Sequence, residues 1–301
     1  MSAVHSAYLA VIVIWSTTPL AIKWSTDGFT PEVAAFGRMA IAAVLGWLLL
    51  KVLRIPLPLH KGALLSYLAA VLGVYGAMMA SYYASLYVTS GLLSVLWGTA
   101  PLVSGVLAML LLPGEQQLTP VRWLSMLLGI SGLGYIFSDD LLLEGPAMAG
   151  VAVLLFGVFC YSLSIIWVKR VDARLHPLSQ TVGALILSLP FYVFSWWVGD
   201  GELPVFPADN KAALAVLYLA IAGSLVGFLC FYQILSKLPA STVALITLIT
   251  PVFALLLGQQ LNDEQITSEI VTGTGLIMLG LAGYHWGDLL LRRKREEVTV
   301  E

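Results

Sequence analysis

Apolar residues run in long segments along this chain, and most of the charge lies in the gaps between them. A helix that crosses a bilayer needs ~20 predominantly apolar residues to span ~30 Å of hydrocarbon. The pattern predicts ten such helices, at 4–26, 31–53, 62–83, 87–112, 121–137, 146–168, 177–198, 212–235, 239–259 and 268–291. Closed β-barrels also satisfy every backbone group in lipid, but they are built from short alternating segments. The fold class read here is an all-α polytopic membrane protein.

The segments are written twice. Trp15, Ser16, Lys23 and Pro31 are answered 146 positions on by Tyr161, Ser162, Lys169 and Pro177. Tyr82 and Pro101 are answered 150 positions on by Tyr232 and Pro251. Leu118, Thr119 and Gly132 return as Ile266, Thr267 and Gly280 at 148, and Glu115 returns as Glu264 at 149. The repeats divide the chain into 1–145, 146–292 and a basic and acidic tail at 293–301. An odd number of crossings per repeat turns the second half upside down relative to the first, giving two inverted five-helix repeats, a layout shared by many secondary transporters.

Composition agrees with a membrane setting. Hydrophobic residues make up 59% and charged residues 11%, against roughly 25% charged in soluble domains. With the N-terminus in the cytoplasm, twelve Lys and Arg fall inside: Lys51, Arg54, Lys61, Arg122, Lys169, Arg170, Arg174, Lys237, Arg292, Arg293, Lys294 and Arg295. Lys23 and Lys211 fall outside, with Arg38 inside the second span. The positive-inside rule therefore places both termini in the cytoplasm. The first span lacks a basic n-region and a small-residue cleavage site, so it reads as a helix and not a signal peptide. The tail from Arg292 reads as a short disordered strip that fixes topology and touches anionic headgroups. No basic surface with interleaved aromatics supports nucleic-acid binding.

Reactive chemistry is sparse. Cys160 and Cys230 lie mid-span with no C-x-x-C or adjacent His, which reads as buried small hydrophobes. His5, His60, His176 and His285 sit near span ends. No nucleotide, metalloprotease or serine-nucleophile motif appears, so no cofactor and no metal are implied. No Asp or Glu falls near the middle of a span, which leaves a midplane proton relay without support. Arg38 is the one charge set clearly within a span, roughly 10 Å inward from Pro31 by helix rise. A cation at a helix centre costs about 2.5–3.5 kcal/mol on insertion scales and normally faces a bundle interior or a wet cavity. Arg38 reads either as a contact for a substrate carboxylate or phosphate, or as a structural residue that snorkels or bonds helix-end carbonyls.

Aromatic and hydroxyl residues gather near span centres: Trp15, Thr18, Tyr75, Ser94, Trp97, Tyr161, Ser164, Thr247 and Thr250. Buried indoles and phenols need a polar partner or a wet cavity, and helix packing with internal hydrogen bonds is the plain alternative. Trp15 and Tyr161 occupy matching repeat positions, where a site astride a pseudo-twofold axis draws on both halves. Pro101 and Pro251 each remove a backbone donor mid-helix, and their equivalence predicts a shared bend and a hinge. Pro19 has no counterpart. Gly223-x-x-x-Gly227 and Gly283-x-x-x-Gly287 leave small faces for close helix approach.

The run from Trp15 to Lys23, Phe36-Gly37-Arg38, and the stretch from Tyr82 to Tyr87 leading to Pro101 resemble the EamA-like family of the drug/metabolite transporter superfamily. Gly114-Glu115 before Leu118-Thr119, repeated at Glu264 to Thr267, is similar to the glutamate turn that closes each of that family's repeats. The resemblance covers the whole chain in two copies. It departs only in the turns, by an added residue before Leu118 and by Asp263 where Gly is usual. It implies ten helices around a central cavity lined by helices one to four and six to nine, in a bacterial inner membrane. Carried onto this chain, the cavity receives Trp15, Arg38, Tyr75, Tyr82, Trp97, Tyr161 and Thr250. The implied function is export of a small organic metabolite, such as an amino acid or related amphipathic compound, by alternating access. The implied partners are that substrate and the bilayer. A lipid or lipid-linked metabolite flippase is the alternative on the same architecture. A membrane enzyme needs catalytic groups at depth, and none is read here.

Overall fold

Each apolar segment folds as a helix, and the boundaries follow capping chemistry. The computed structural model describes residues 3–111, 119–136, 138, 145–199, 201, 210–235 and 240–298. Glu115, the acidic stretch 139–144, the loop 202–209, Lys237 and the side chains of Tyr232 and Thr247 lie outside what is described. The helices are α1 (Ala3–Thr26), α2 (Pro31–Val52), α3 (Lys61–Ala84), α4 (Ser90–Leu111), α5 (Pro120–Ile136), α6 (Gly145–Val171), α7 (Pro177–Gly199), α8 (211–235), α9 (Ala240–Asn262) and α10 (Ser268–Val298). No strand occurs among the described residues. Seven of these helices, α1–α4 and α6–α8, are long and apolar enough to cross a membrane.

Thr119 and Thr267, matched in the repeat, do the same work in the structure. Their hydroxyls accept from Arg122 N and Ile270 N, each at 3.3 Å, and so start α5 and α10. Each satisfies one of the orphan donors of a first helical turn. Thr89 caps α4 through Leu92 N at 3.2 Å, which moves the helix start to Ser90, three residues beyond the hydropathy boundary. Pro31 and Pro177 occupy first positions of α2 and α7, where a missing N–H costs nothing. The last helix continues to Val298, so residues 292–298 are helical and not an irregular strip. The Arg, Lys and Glu in that stretch are good helix formers, with no Gly or Pro to stop them.

Packing partners exchange between the halves. α1 packs on α8 and α9, and α6 on α3 and α4. α2 packs on α7 and α8, and α7 on α2 and α3; α4 meets α9, and α5 meets α10. Swapping every helix with the one five further on returns the same principal neighbours. At the α5–α10 contact the exchange holds to the residue. A Cβ on Gly132 meets Gly273 O at 2.6 Å and Ile277 N at 2.9 Å. One on Gly280 meets Ser125 O at 2.6 Å and Gly129 N at 2.7 Å. Gly273, Ile277 and Gly280 are Ser125, Gly129 and Gly132 advanced by the repeat offset of 148.

Three departures from regular helix lie near the centre. α3 widens to π-helix over Leu72–Ala77, and α8 over Leu219–Val226. α4 is interrupted at Gly98 and Thr99, where the Thr99 hydroxyl donates to Leu96 O at 2.6 Å. Pro101 cannot return an N–H to the carbonyl four residues back, and a Cβ at Gly98 would stand 2.9 Å from Val95 O. The bend expected at both prolines takes this form only in α4. α9 stays helical across Pro251, where Leu248 and Ile249 stand at the positions of Gly98 and Thr99. Apolar side chains such as Val13, Leu68, Phe156, Phe194 and Leu214 are exposed around the outside, while Ser16, Arg38, Ser162, Ser164 and Ser224 are buried. That is the inverse of a water-soluble surface.

The glycine contact gives a test. Gly280→Ala places a methyl group against backbone atoms of α5 and lowers stability by about 1–3 kcal/mol, the usual cost of overpacking. Gly275→Ala, where nothing lies within 4 Å, leaves thermal unfolding in detergent unchanged or slightly raised.

Candidate functional site

Arg38 is carried inward by the small face of α2. Ala34, Ala35, Arg38, Met39, Ala42, Ala43 and Gly46 are the buried stripe of that helix, at the three-to-four spacing of one helical face. The alanines let α7 and α8 approach closely, and Arg38 ends up 2% exposed. It faces the interior and does not snorkel. Nε donates to Ser224 Oγ at 2.8 Å, and Nη1 has no partner. Gly223 makes room, since a Cβ there stands 3.3 Å from Nη2. The Tyr82 hydroxyl lies beside the guanidinium, fully buried, without a completed hydrogen bond. Tyr192 is also close to Arg38, and its hydroxyl donates to Val74 O at 2.5 Å within the π segment of α3. No Asp or Glu pairs with Arg38 among the described residues.

Trp15 stands one turn along the same face of α8. A Cβ on Gly227 meets its Nε1 at 3.4 Å, and its ring lies 4.9 Å from that of Phe231. The Gly223-x-x-x-Gly227 face of α8 is thus pressed by Arg38 and Thr18 at one glycine and by Trp15 at the other.

On the opposite side, Tyr161 sits against the π segment of α3, where a Cβ on Gly73 meets its ring at 3.6 Å. Trp97 packs edge-on to Tyr161 with centroids 5.0 Å apart, and its indole N–H donates to Ser81 Oγ at 3.0 Å. Tyr161 thus faces the π segment of α3, and its match Trp15 faces the glycine that directly follows the π segment of α8. Ser164 donates to Ala69 O at 2.8 Å and Ser162 to Ala100 O at 3.3 Å, supplying partners beside the helix irregularities. A π-bulge inside a helix is frequently found at functional sites.

Tyr75 and Thr250 are placed differently from the rest. The Tyr75 hydroxyl is 2.5 Å from Ser195 Oγ, and its ring packs on Phe191 and Tyr192 of α7. It braces Tyr192, which in turn stands by Arg38. Thr250 is buried in α9, next to Pro251, whose ring faces Gly98 at the break in α4. Ser224, Tyr192 and Ser195 were not singled out from sequence. The glycine spacing within α8 was the available signal for Ser224; nothing local marks the other two.

The EamA-like transporter family profile matches residues 3–138 and again 148–285. The chain belongs to this family. An uncharacterized transporter of Archaeoglobus fulgidus is 25% identical over 90% of this chain and 94% of its own length. The uncharacterized inner membrane transporter YedA of Escherichia coli is 23% identical over 96% of this chain and 92% of its own. A protein named a probable amino-acid metabolite efflux pump, also from E. coli, is 29% identical over 51% of this chain and 54% of its own. A solved crystal structure shares the fold, with a TM-score of 0.66 at 21% identity over 97% of this chain and 99% of that one. This EamA-like transporter is a multi-pass membrane protein.

The repeated glutamate of the family turn has a mechanical role here. The Glu264 carboxylate accepts from Ser90 N at 3.0 Å, Ser90 Oγ at 2.9 Å and Gly91 N at 3.2 Å, capping α4 from the end of α9. Asn262 donates to the same carboxylate at 3.1 Å and accepts from Trp24 Nε1 at 2.9 Å. Lys211 lies over the Trp24 ring at 4.4 Å, and Lys23 donates to Ser85 O at 2.5 Å, at the C-terminus of α3. Anion at N-terminus and cation at C-terminus both suit the helix dipole. At the other end, Gln180 and Ser66 exchange hydrogen bonds at 2.7 and 3.1 Å, and Ser179 donates to Pro56 O.

Glu264→Gln removes charge from four hydrogen bonds that each gain by it. It lowers stability by about 1–3 kcal/mol, while the pH profile of transport per folded molecule stays where it is in the parent. A displaced pH profile contradicts the structural role.

Proposed function

We propose that this transporter exports a small organic metabolite, an amino acid or related amphipathic compound, by alternating access. In this reading all ten helices cross the bacterial inner membrane as two inverted five-helix repeats, 1–145 and 146–292, with both termini cytoplasmic. The observation that carries it is the exchange of packing partners between halves, down to the paired glycines of α5 and α10. Two inverted halves that pack by the same contacts have two equivalent arrangements, one open to each face. The efflux activity in the name of the E. coli relative supports the direction, and the Lys and Arg asymmetry supports the orientation.

The substrate path runs between the two π segments, with Arg38, Tyr82 and Trp15 on the α8 side and Trp97 and Tyr161 on the α3 side. Tyr75 and Thr250 hold the flanks. The break in α4 before Pro101 and the Gly98–Pro251 contact form the hinge. Pockets of this kind fix a small ligand with few polar groups among apolar and aromatic walls.

Two measurements test this. In intact cells, with Cys160 and Cys230 replaced, an impermeant maleimide labels a cysteine placed at Asp27 and leaves one at Asp172 unlabelled; the reverse pattern inverts the topology. In proteoliposomes, counterflow of the exported metabolite runs without an imposed proton or sodium gradient, and Trp97→Ala or Tyr161→Ala lowers it across substrates. Strict dependence on either gradient contradicts exchange, and scrambling of a fluorescent lipid without metabolite flux assigns a flippase.

A further inference from the structure

We infer that the group received beside Arg38 is an oxyanion, a carboxylate or a phosphate, and that the site selects organic anions over cations and neutral isosteres. The inference deepens the transport reading and takes its context from it; its content comes from the hydrogen-bonding inventory around one buried guanidinium.

The free groups there are donors. Nη1 of Arg38 has no partner in a residue 2% exposed, and the neighbouring Tyr82 hydroxyl has none either. Ser224 Oγ already accepts from Arg38 Nε, so its own O–H is left to give. The Trp15 indole N–H, beside Gly227, can only donate. Two carboxylates of the described residues are engaged elsewhere: that of Glu32 takes the Tyr83 hydroxyl, and that of Glu264 is filled by the α4 terminus. A buried guanidinium with no counter-charge is among the costliest arrangements a fold can hold. An incoming oxyanion supplies both the charge and the acceptors that Arg38 and Tyr82 lack.

The geometry also bounds the ligand. Arg38 is not repeated: the position 146 residues on is Ala184. The repeat therefore supplies no second guanidinium at the matching position, and the second half contributes the aromatic ring of Tyr161. Gly223 beside the guanidinium and Gly227 beside Trp15 are four residues apart on α8, about 6 Å along a regular helix. A ligand that touches both has its acidic group within a few bonds of its apolar body. Cations meet Arg38 with no carboxylate to answer them, and this discriminates against them by charge alone.

Thermal unfolding of the purified full-length protein in detergent tests this with four probes that share a phenyl body. They are phenylacetate, phenyl phosphate, 2-phenylethanol and 2-phenylethylamine. One or both anions raise Tm with increasing concentration, and the alcohol and amine do not; the two anion arms separate carboxylate from phosphate recognition. Arg38→Gln abolishes the anion response, and Arg38→Lys keeps part of it, because a point charge lacks the two-pronged donor geometry. Tyr82→Phe is the decisive variant, since it keeps the ring and removes only the hydroxyl beside the guanidinium. Its ligand-free Tm is unchanged or raised, while anion affinity falls by about tenfold. Equal shifts from all four probes, no shift from any, or an anion response unchanged in Tyr82→Phe overturns the proposal. Anion binding without counterflow leaves this site standing and sinks the transport reading. Counterflow with no anion selectivity does the opposite.

Discussion

A guanidinium held inside the bundle, with no carboxylate partner among the described residues, constrains everything packed around it. Arg38 reaches that position because α2 presents alanine and glycine to α7 and α8, and because Gly223 leaves no side chain in its way. Its Nε donates to Ser224 Oγ, within the stretch of α8 that is wound as π-helix. The wider winding, the glycines and the buried cation are thus one arrangement. In a bilayer no water reaches such a group except through a cavity, so its cost is relieved only by a ligand or by access to one face.

The frame is symmetric and the site is not. Packing partners exchange between halves, Thr119 and Thr267 start equivalent helices, and Gly132 and Gly280 make equivalent backbone contacts. Arg38 answers to Ala184, and Gly98 with Thr99 answers to Leu248 with Ile249. In the proposed transport cycle a symmetric frame would give two arrangements of similar energy, and the unmatched residues would orient the ligand; Gly98 and Thr99 mark where α4 is interrupted. Polar ties close both ends, with Glu264, Asn262 and Trp24 at one and Ser66, Gln180 and Ser179 at the other. Opening either end requires breaking its own set.

Much of the fold was legible because its signals are local or periodic. Apolar runs located every helix to within a few residues, apart from the ends of α9 and α10, and the repeat offsets named the residues that the structure then paired. Arg38 stood out as a charge in an apolar run, and its burial excludes the snorkelling form of the structural reading. The π segments were not legible, since winding depends on what packs against the helix. Nor was the capping role of Glu264, whose partners Ser90 and Gly91 lie 174 and 173 residues away. The equal prolines suggested equal bends, but the neighbouring glycine and threonine decided the outcome. The partner of the Tyr75 hydroxyl, Ser195 Oγ, lies 120 residues along the chain and was not legible either.

The most direct test of alternating access around Arg38 is a pair of spin-label distances in one protein. One pair at Asp27 and Asp263 reports the end closed by Glu264 and Asn262; the other, at His60 and Arg174, reports the end closed by Ser66 and Gln180. In proteoliposomes, a transported anion should shift the two distance distributions in opposite directions, one end opening as the other closes, and Arg38→Gln should remove the shift. Two distances that widen or narrow together, or a response that survives the loss of Arg38, would contradict the account.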